Sequence, residues 1–239
     1  MSKLSLLSTV AALAFSCSAA AEIHTDVTDG LLFRYDPNPG ILAGLEGTKD
    51  SLLGTIDAFD YSNATFSFWI NIDDVSPGWT SVFHVGNEPM ERYPGVWLYD
   101  NDTTVHYRIG TDGYSNSAAE SSVPLPLDTW VKVTSVWDDG IGSLYYNDTK
   151  MVTYTNYTFD FLDDLVGNET WSVYASDPWH EPFNGYIDDV RIYDRALTPQ
   201  ELDDTYYSSR YLDVTTPFSA FALLALPFAC WRYRRRTPS

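Results

Sequence analysis

The sequence predicts an all-β chain folded as a two-sheet antiparallel β-sandwich. Three observations point there. Short runs alternate apolar and polar residues with period two, Tyr, Trp, Val and Thr are abundant, and turn-forming residues separate the runs. The cysteines add a constraint: Cys17 and Cys230 lie one near each end, so the middle of the chain has no disulfide and must be held by its core.

The elements follow in chain order. Residues 1–21 carry Lys3, an apolar run from Leu4 to Phe15 and the small residues Ala19-Ala20-Ala21, which read as a secretory signal peptide cut before Glu22. Phe66, Phe68, Ile70 and Ile72 alternate with Ser67, Trp69 and Asn71, as a half-buried strand requires. Val82–Val85, Gly95–Tyr99, Val105–Ile109, Ser143–Tyr146 and Trp171–Tyr174 read as further strands. So does the stretch in which Val131, Val133 and Ser135 alternate with Trp130, Lys132, Thr134 and Val136. Ser76-Pro77-Gly78, Pro94-Gly95, Asp112-Gly113, Asp139-Gly140 and Asn184-Gly185 supply the turns. Many short strands at this spacing indicate a sandwich or jelly roll.

One helix is expected between residues 25 and 210. Thr198-Pro199-Gln200-Glu201 is a capping box with proline at the first helical position, and it opens a helix ending near Tyr206. The domain then spans residues 22–214. From 215 to 239 the character changes: Phe218 to Trp231 is almost wholly apolar, and Arg232, Arg234, Arg235 and Arg236 follow. Such a tail is an anchor or a sorting signal. The run is shorter than the roughly 20 residues that a straight helix needs to cross a bilayer, although snorkelling arginines extend its reach.

Charge narrows the partners. All 33 acidic residues lie between 22 and 214; of the 14 basic residues, Lys3 and the four tail arginines lie outside, leaving nine and a net charge of −24. Such a surface repels nucleic acid and anionic membranes, so a membrane contact is expected only through the tail.

Residues 183–202, from Phe183-Asn184-Gly185-Tyr186-Ile187-Asp188-Asp189-Val190-Arg191-Ile192-Tyr193 to Ala196-Leu197-Thr198-Pro199-Gln200-Glu201-Leu202, closely resemble the closing signature of laminin-G-like jelly-roll domains. These belong to the concanavalin A-like lectin/glucanase superfamily. Phe66-Ser67-Phe68-Trp69-Ile70, Trp130-Val131-Lys132-Val133 and Leu144-Tyr145-Tyr146-Asn147 are similar to its earlier strands, in the same order. The likeness covers roughly residues 30–208. It implies a jelly roll, a carbohydrate-binding or surface-binding role, and a calcium near Asp188, with Asp36 and Asn38 as possible further ligands. The other reading of Asp188 is that it accepts backbone N–H bonds and needs no ion. The tail resembles the sorting tails of bacterial surface proteins such as the PEP-CTERM class.

The catalytic signature of the superfamily's glycosidases is missing. Retaining hydrolysis needs an acid and a nucleophile about 5 Å apart, and no E-x-D-x-x-E run exists here. No Gly-x-Ser-x-Gly elbow, zinc spacing or P-loop occurs either. The expected function is therefore a secreted or surface-anchored, non-catalytic, lectin-like module that stacks sugars on exposed aromatic rings. Trp79 and Trp179, in Pro- and Gly-containing loops, are the leading candidates, with Tyr93 and Asp102 behind them, whereas Trp130 and Trp137 read as core. An adhesive, protein-binding surface protein is the alternative, and a glycoside hydrolase the third reading. Asn63, Asn101, Asn147, Asn156 and Asn168 each begin an Asn-x-Thr sequon and would carry glycans, making a glycoprotein, in a eukaryotic secretory pathway.

Overall fold

A computed structural model of the chain describes residues 25–37, 44–111, 114–155 and 157–209. The expected signal peptide, the apolar tail, Asn38 and Asn156 lie outside these residues. The strands are β1 (Leu31–Tyr35), β2 (Leu45–Glu46), β3 (Leu52–Asp57), β4 (Ala64–Asp74), β5 (Thr80–Val85), β6 (Gly95–Leu98), β7 (Val105–Thr111), β8 (Tyr114–Glu120), β9 (Val131–Asp138), β10 (Ile141–Tyr146), β11 (Thr149–Tyr154), β12 (Thr170–Tyr174), β13 (Glu181–Pro182) and β14 (Asn184–Tyr193). One α-helix, α1 (Pro199–Ser209), follows them.

Two seven-stranded sheets result. The first runs β1-β14-β4-β9-β10-β11, with β2 also on β14; the second runs β3-β12-β5-β6-β7-β8, with β13 beside β5. All pairings are antiparallel except that of β13 with β5. The alternation in β4 sends Phe66, Phe68, Ile70 and Ile72 inward, where they meet Val82, Phe83, Val85, Val96, Tyr107 and Ile109 of the second sheet. Phe68 and Phe83 face each other with ring centroids 5.4 Å apart. Ser135 Oγ donates to the Tyr107 hydroxyl at 2.6 Å, joining the sheets by a buried hydrogen bond. Trp137 is core as expected, whereas Trp130 is only half-buried.

The signature strand β14 contains a feature that its sequence pattern conceals. Ile187, Val190 and Ile192 are all core residues, although the first two are three apart. A bulge reconciles them: Asp188 pairs with Trp69 and Arg191 with Ser67, so one extra residue is accommodated, and Asp189 there adopts φ 41°. At the start of the strand, Gly185 has φ 151°, and a Cβ would sit 2.1 Å from the Asn71 carbonyl oxygen. Only glycine fits that approach.

The outer face of the first sheet is covered. Arg191 and Tyr193 point away from the core yet are fully buried, Tyr193 together with Val27 and Leu197. Trp69 stacks on Tyr206 of α1 at 5.5 Å and donates through Nε1 to Ser209 Oγ at 3.0 Å. Lys132 Nζ donates to the Thr205 carbonyl at 2.8 Å, satisfying one of the carbonyls that a helix end leaves open. The capping box forms as expected: Thr198 N–H donates to Glu201 Oε2 at 2.8 Å, and Glu201 N–H returns to Thr198 Oγ1 at 3.3 Å. The helix runs three residues past the expected Tyr206. The expectation of no other helix needs correction, because Asp160–Asp164 form a 3₁₀ turn. Phe159 and Leu162 of that segment are buried in the core, which explains a turn where no strand pattern exists.

Candidate functional site

Among the described residues, no helix covers the outer face of the second sheet. Alternation that sends Val96, Leu98, Val105, Tyr107 and Ile109 inward sends Trp97, His106 and Arg108 outward. His84 of β5 and Tyr174 of β12 are on the same outer face. A pocket lies on this face, lined by Trp79, Arg92, Trp97, His106 and His180.

Trp97 is its floor. The ring lies over Gly95, where a Cβ would come within 2.2 Å of the indole, so a side chain at 95 would displace it. The Arg92 guanidinium rests over the indole at 4.9 Å, a cation–π contact. The His180 ring meets it edge-on at 5.4 Å, and the His84 and His106 rings lie 6.1 Å away on other sides. Trp79, 43% exposed, forms a wall, with its ring 4.5 Å from both Tyr99 and His106.

Two carboxylates organise the cationic groups. Glu120 Oε1 lies 2.9 Å from Arg108 Nη2 and 2.8 Å from His106 Nδ1. Arg108 Nε–H also donates to His106 Nε2 at 2.8 Å, which fixes the proton of a neutral imidazole on Nδ1. Asp177 is fully buried; it accepts the backbone N–H groups of Trp179 at 2.9 Å and His180 at 2.7 Å, and its oxygens lie 2.9 and 3.0 Å from His180 Nδ1. Burial opposes its charge, but the His180 hydrogen bonds outweigh it and hold the carboxyl at about 2. Burial pushes His84 down to about 4, and burial with the nearby Arg108 charge does the same to His106. Both are neutral at physiological pH. Trp97 Nε1 has no acceptor among the described residues, and neither ring nitrogen of His84 makes a well-formed hydrogen bond there.

A second cavity adjoins, lined by Tyr99, Asp102, Thr104, Glu120, Ser121, Ser122 and Tyr154. Burial, with a hydrogen bond to Glu120, raises the Tyr99 hydroxyl to about 12, so it remains a neutral donor.

The sequence candidates separate on this geometry. Trp79 lines the pocket, and Trp179 is half-buried beside it, its ring 5.1 Å from His84 and 6.1 Å from Tyr174. Asp102 caps a turn, accepting from Thr103 N–H at 2.6 Å and Thr104 Oγ1 at 2.9 Å, and borders the second cavity. Tyr93 is not on this face: it is buried against Trp171 at 4.6 Å and Tyr61 at 5.5 Å, so its place among the ligand-binding candidates needs correction. Trp97, His84, His106, His180, Arg92 and Arg108 were missed. The alternation in β6 and β7 held the signal for Trp97, His106 and Arg108, had the outward positions been read as carefully as the inward ones.

Asp188 lies far from this pocket in the fold, on β14 of the other sheet. Its Oδ2 accepts from Gly44 N–H and its Oδ1 from Asp189 N–H, at 2.9 and 2.8 Å. Asp36 pairs with Arg34 at 2.9 Å, and Arg34 and Arg191 both contact Asp189. Among the described residues no group of three or more His, Cys, Asp or Glu side chains is gathered that could hold a metal ion. Asp188 thus has the contacts of the reading in which it accepts backbone N–H bonds, while Asn38, another candidate ligand, lies outside the described residues. Of the sequons, Asn63, Asn101 and Asn168 are exposed, whereas Asn147 is half-buried with its amide oxygen accepting from Lys132 N–H at 2.9 Å.

Residues 46–203 match the family model of the concanavalin A-like lectin/glucanases superfamily, laminin G type, and the chain belongs to that family. No curated protein matches the sequence. Among solved structures, the CBM40 domain of the Ruminococcus gnavus IT-sialidase, bound to α2,3-sialyllactose, is similar at TM-score 0.53 and 16% identity, covering 74% of this chain and 99% of that one. The leech intramolecular trans-sialidase is similar at 0.52 and 17%, over 75% of this chain and 28% of the enzyme. A heptameric SAP-like pentraxin from Limulus polyphemus gives 0.50 and 16%, over 66% and 78%. At these identities the likeness is one of fold.

Proposed function

We propose that this chain is a secreted or surface-anchored, non-catalytic carbohydrate-binding module whose ligand occupies the aromatic pocket on the outer face of the second sheet. The observation that carries the reading is the difference between the two outer faces. One is sealed by α1 and the N-terminal segment, while the other leaves Trp79, Arg92, Trp97 and two histidines, His106 and His180, around a recess. Aromatic rings with polar rims suit the apolar faces and hydroxyls of a sugar. The sialyllactose bound by a CBM40 domain of similar fold supports the same ligand class. A recessed pocket favours a glycan over the flat surface that an adhesive, protein-binding role would use. Support for a non-catalytic role comes from the pocket carboxylates. Asp177 is ionised beneath His180 and Glu120 is engaged by Arg108 and His106, so neither is placed as a protonated acid.

The test is a glycan array probed with the wild-type protein and with Trp79→Ala. Loss of a half-exposed stacking ring should weaken binding about tenfold while leaving the melting temperature nearly unchanged. Undiminished glycan binding by the variant would move the site elsewhere.

A further inference from the structure

Resting on that carbohydrate reading, we infer that the pocket is built for an acidic sugar, one whose carboxylate or sulfate lodges beside Arg92 and Arg108 while its ring packs against Trp79. The segment 22–214 has nine basic residues against 33 acidic ones, and two of the nine stand at this one recess. Most of the others serve elsewhere: Arg34, Arg191 and Arg195 in carboxylate networks on the first sheet and α1, Lys49 on Glu181, Lys132 beneath the helix. Arg92 instead spreads its guanidinium on the pocket floor, where it is half-buried.

The two guanidinium groups act on each other and on their neighbours. Burial, and next the charge of Arg108, lower the Arg92 pKa. Burial and both arginines lower that of His106. Like charge held in a partly desolvated recess is unfavourable, and an anion entering it relieves the repulsion. The pocket's own carboxylates are poorly placed to do so, because Asp177 is sealed under His180, while Glu120 already spans Arg108 and His106. His84 and His106 cannot supply charge near neutrality, since both titrate at about 4. Guanidinium pairs with planar oxyanions by two parallel hydrogen bonds, so a carboxylate or sulfate can be read at contact distance. Contact distance matters: the domain's −24 charge repels anions from afar, so the preference must arise inside the recess and cannot come from long-range steering.

The experiment uses the full chain on matched pairs of glycans: sialyllactose with lactose, oligogalacturonate with its methyl ester, and a sulfated galactan with its desulfated form. Acidic members of at least one pair should bind about tenfold or more tightly than their neutral partners. The pair that responds tells carboxylate from sulfate. Arg92→Gln should erase the difference between the two members of the responding pair. Equal binding within every pair would overturn the acidic inference and leave the carbohydrate reading standing, whereas no binding to any member would overturn both. An acidic preference that survives intact in both Arg92→Gln and Arg108→Gln, each confirmed folded by its melting curve, would also overturn the inference.

Discussion

Asp177 holds His180 from beneath: its buried carboxylate lies 2.9 Å from the imidazole Nδ1 and takes the backbone N–H of the same residue. One carboxylate thus sets both the turn that carries Trp179 and the ring that lines the pocket. Asp177→Asn keeps the shape but replaces an acceptor with a donor facing donors. It should cost about 1.5–3 kcal/mol of stability and weaken glycan binding with it. The pH dependence follows from a folded pKa of about 2, below the ordinary aspartate value of 3.8. The carboxylate's contribution is complete above the unfolded value and is lost as pH falls toward 2. Urea unfolding at pH 7 and pH 2.5 should therefore show wild type losing its advantage over the variant in acid; an advantage unchanged between the two would contradict this role.

Lys132 should give a slope of the same sign, in alkali rather than in acid. Burial, and next the charge of Arg191, push its ammonium down from 10.5 to about 7. Between those values the unfolded chain holds a proton that the folded chain has shed, so this residue's contribution to stability rises from pH 7 to 10. Lys132→Met, which keeps the length of the chain, should remove that rise. Denaturant midpoints of the two proteins at pH 7, 8.5 and 10 measure it, and parallel curves would mean that Lys132 remains charged in the fold.

Glu201 anchors the start of α1. Arg195 donates to it at 2.6 and 2.9 Å, and this, ahead of the Thr198 contacts, holds its carboxyl at about 2. Glu201→Ala removes the capping box and should destabilise the domain by about 1 kcal/mol at pH 7. Because the folded pKa is depressed, the loss should shrink as pH falls through 4 toward 2. Thermal melts along that series check both size and sign.

Calcium provides a fourth test. With both Asp188 oxygens taken by backbone N–H groups, melting curves in chelator and in millimolar calcium should coincide. Asp188→Ala should nevertheless destabilise the protein in both, because Gly44 and Asp189 lose their acceptor. A calcium-dependent rise in melting temperature that vanishes in the variant would restore the ion.

The sandwich was legible because alternation in β4 and β9 and the box at Thr198 are local signals, each contained in a few residues. The bulge at Asp189 was not: Asp188-Asp189 reads as two acids on a regular strand, and only the register against Trp69 and Ser67 reveals the extra residue. Neither acid faces water, because Asp189 is drawn into the Arg34 and Arg191 network. Loop position agrees with the exposure of Trp79 but not with the burial of Tyr93, since nothing local distinguishes a loop ring that folds over Trp171 from one that faces solvent. The pocket assembles from β6, β7, the loops that carry Trp79 and Arg92, and the 177–180 turn, which lies about 70–100 residues further along the chain, so sequence spacing could not join them.

The covering of one sheet by α1 also sets the direction in which the molecule looks. Tyr206 and Ser209 rest on Trp69, on the side of the sandwich opposite Trp97. Ser209, the last described residue, therefore lies at the back of the domain, and the recess opens at its front. The full thickness of two sheets stands between them, as between the back of a hand and its palm.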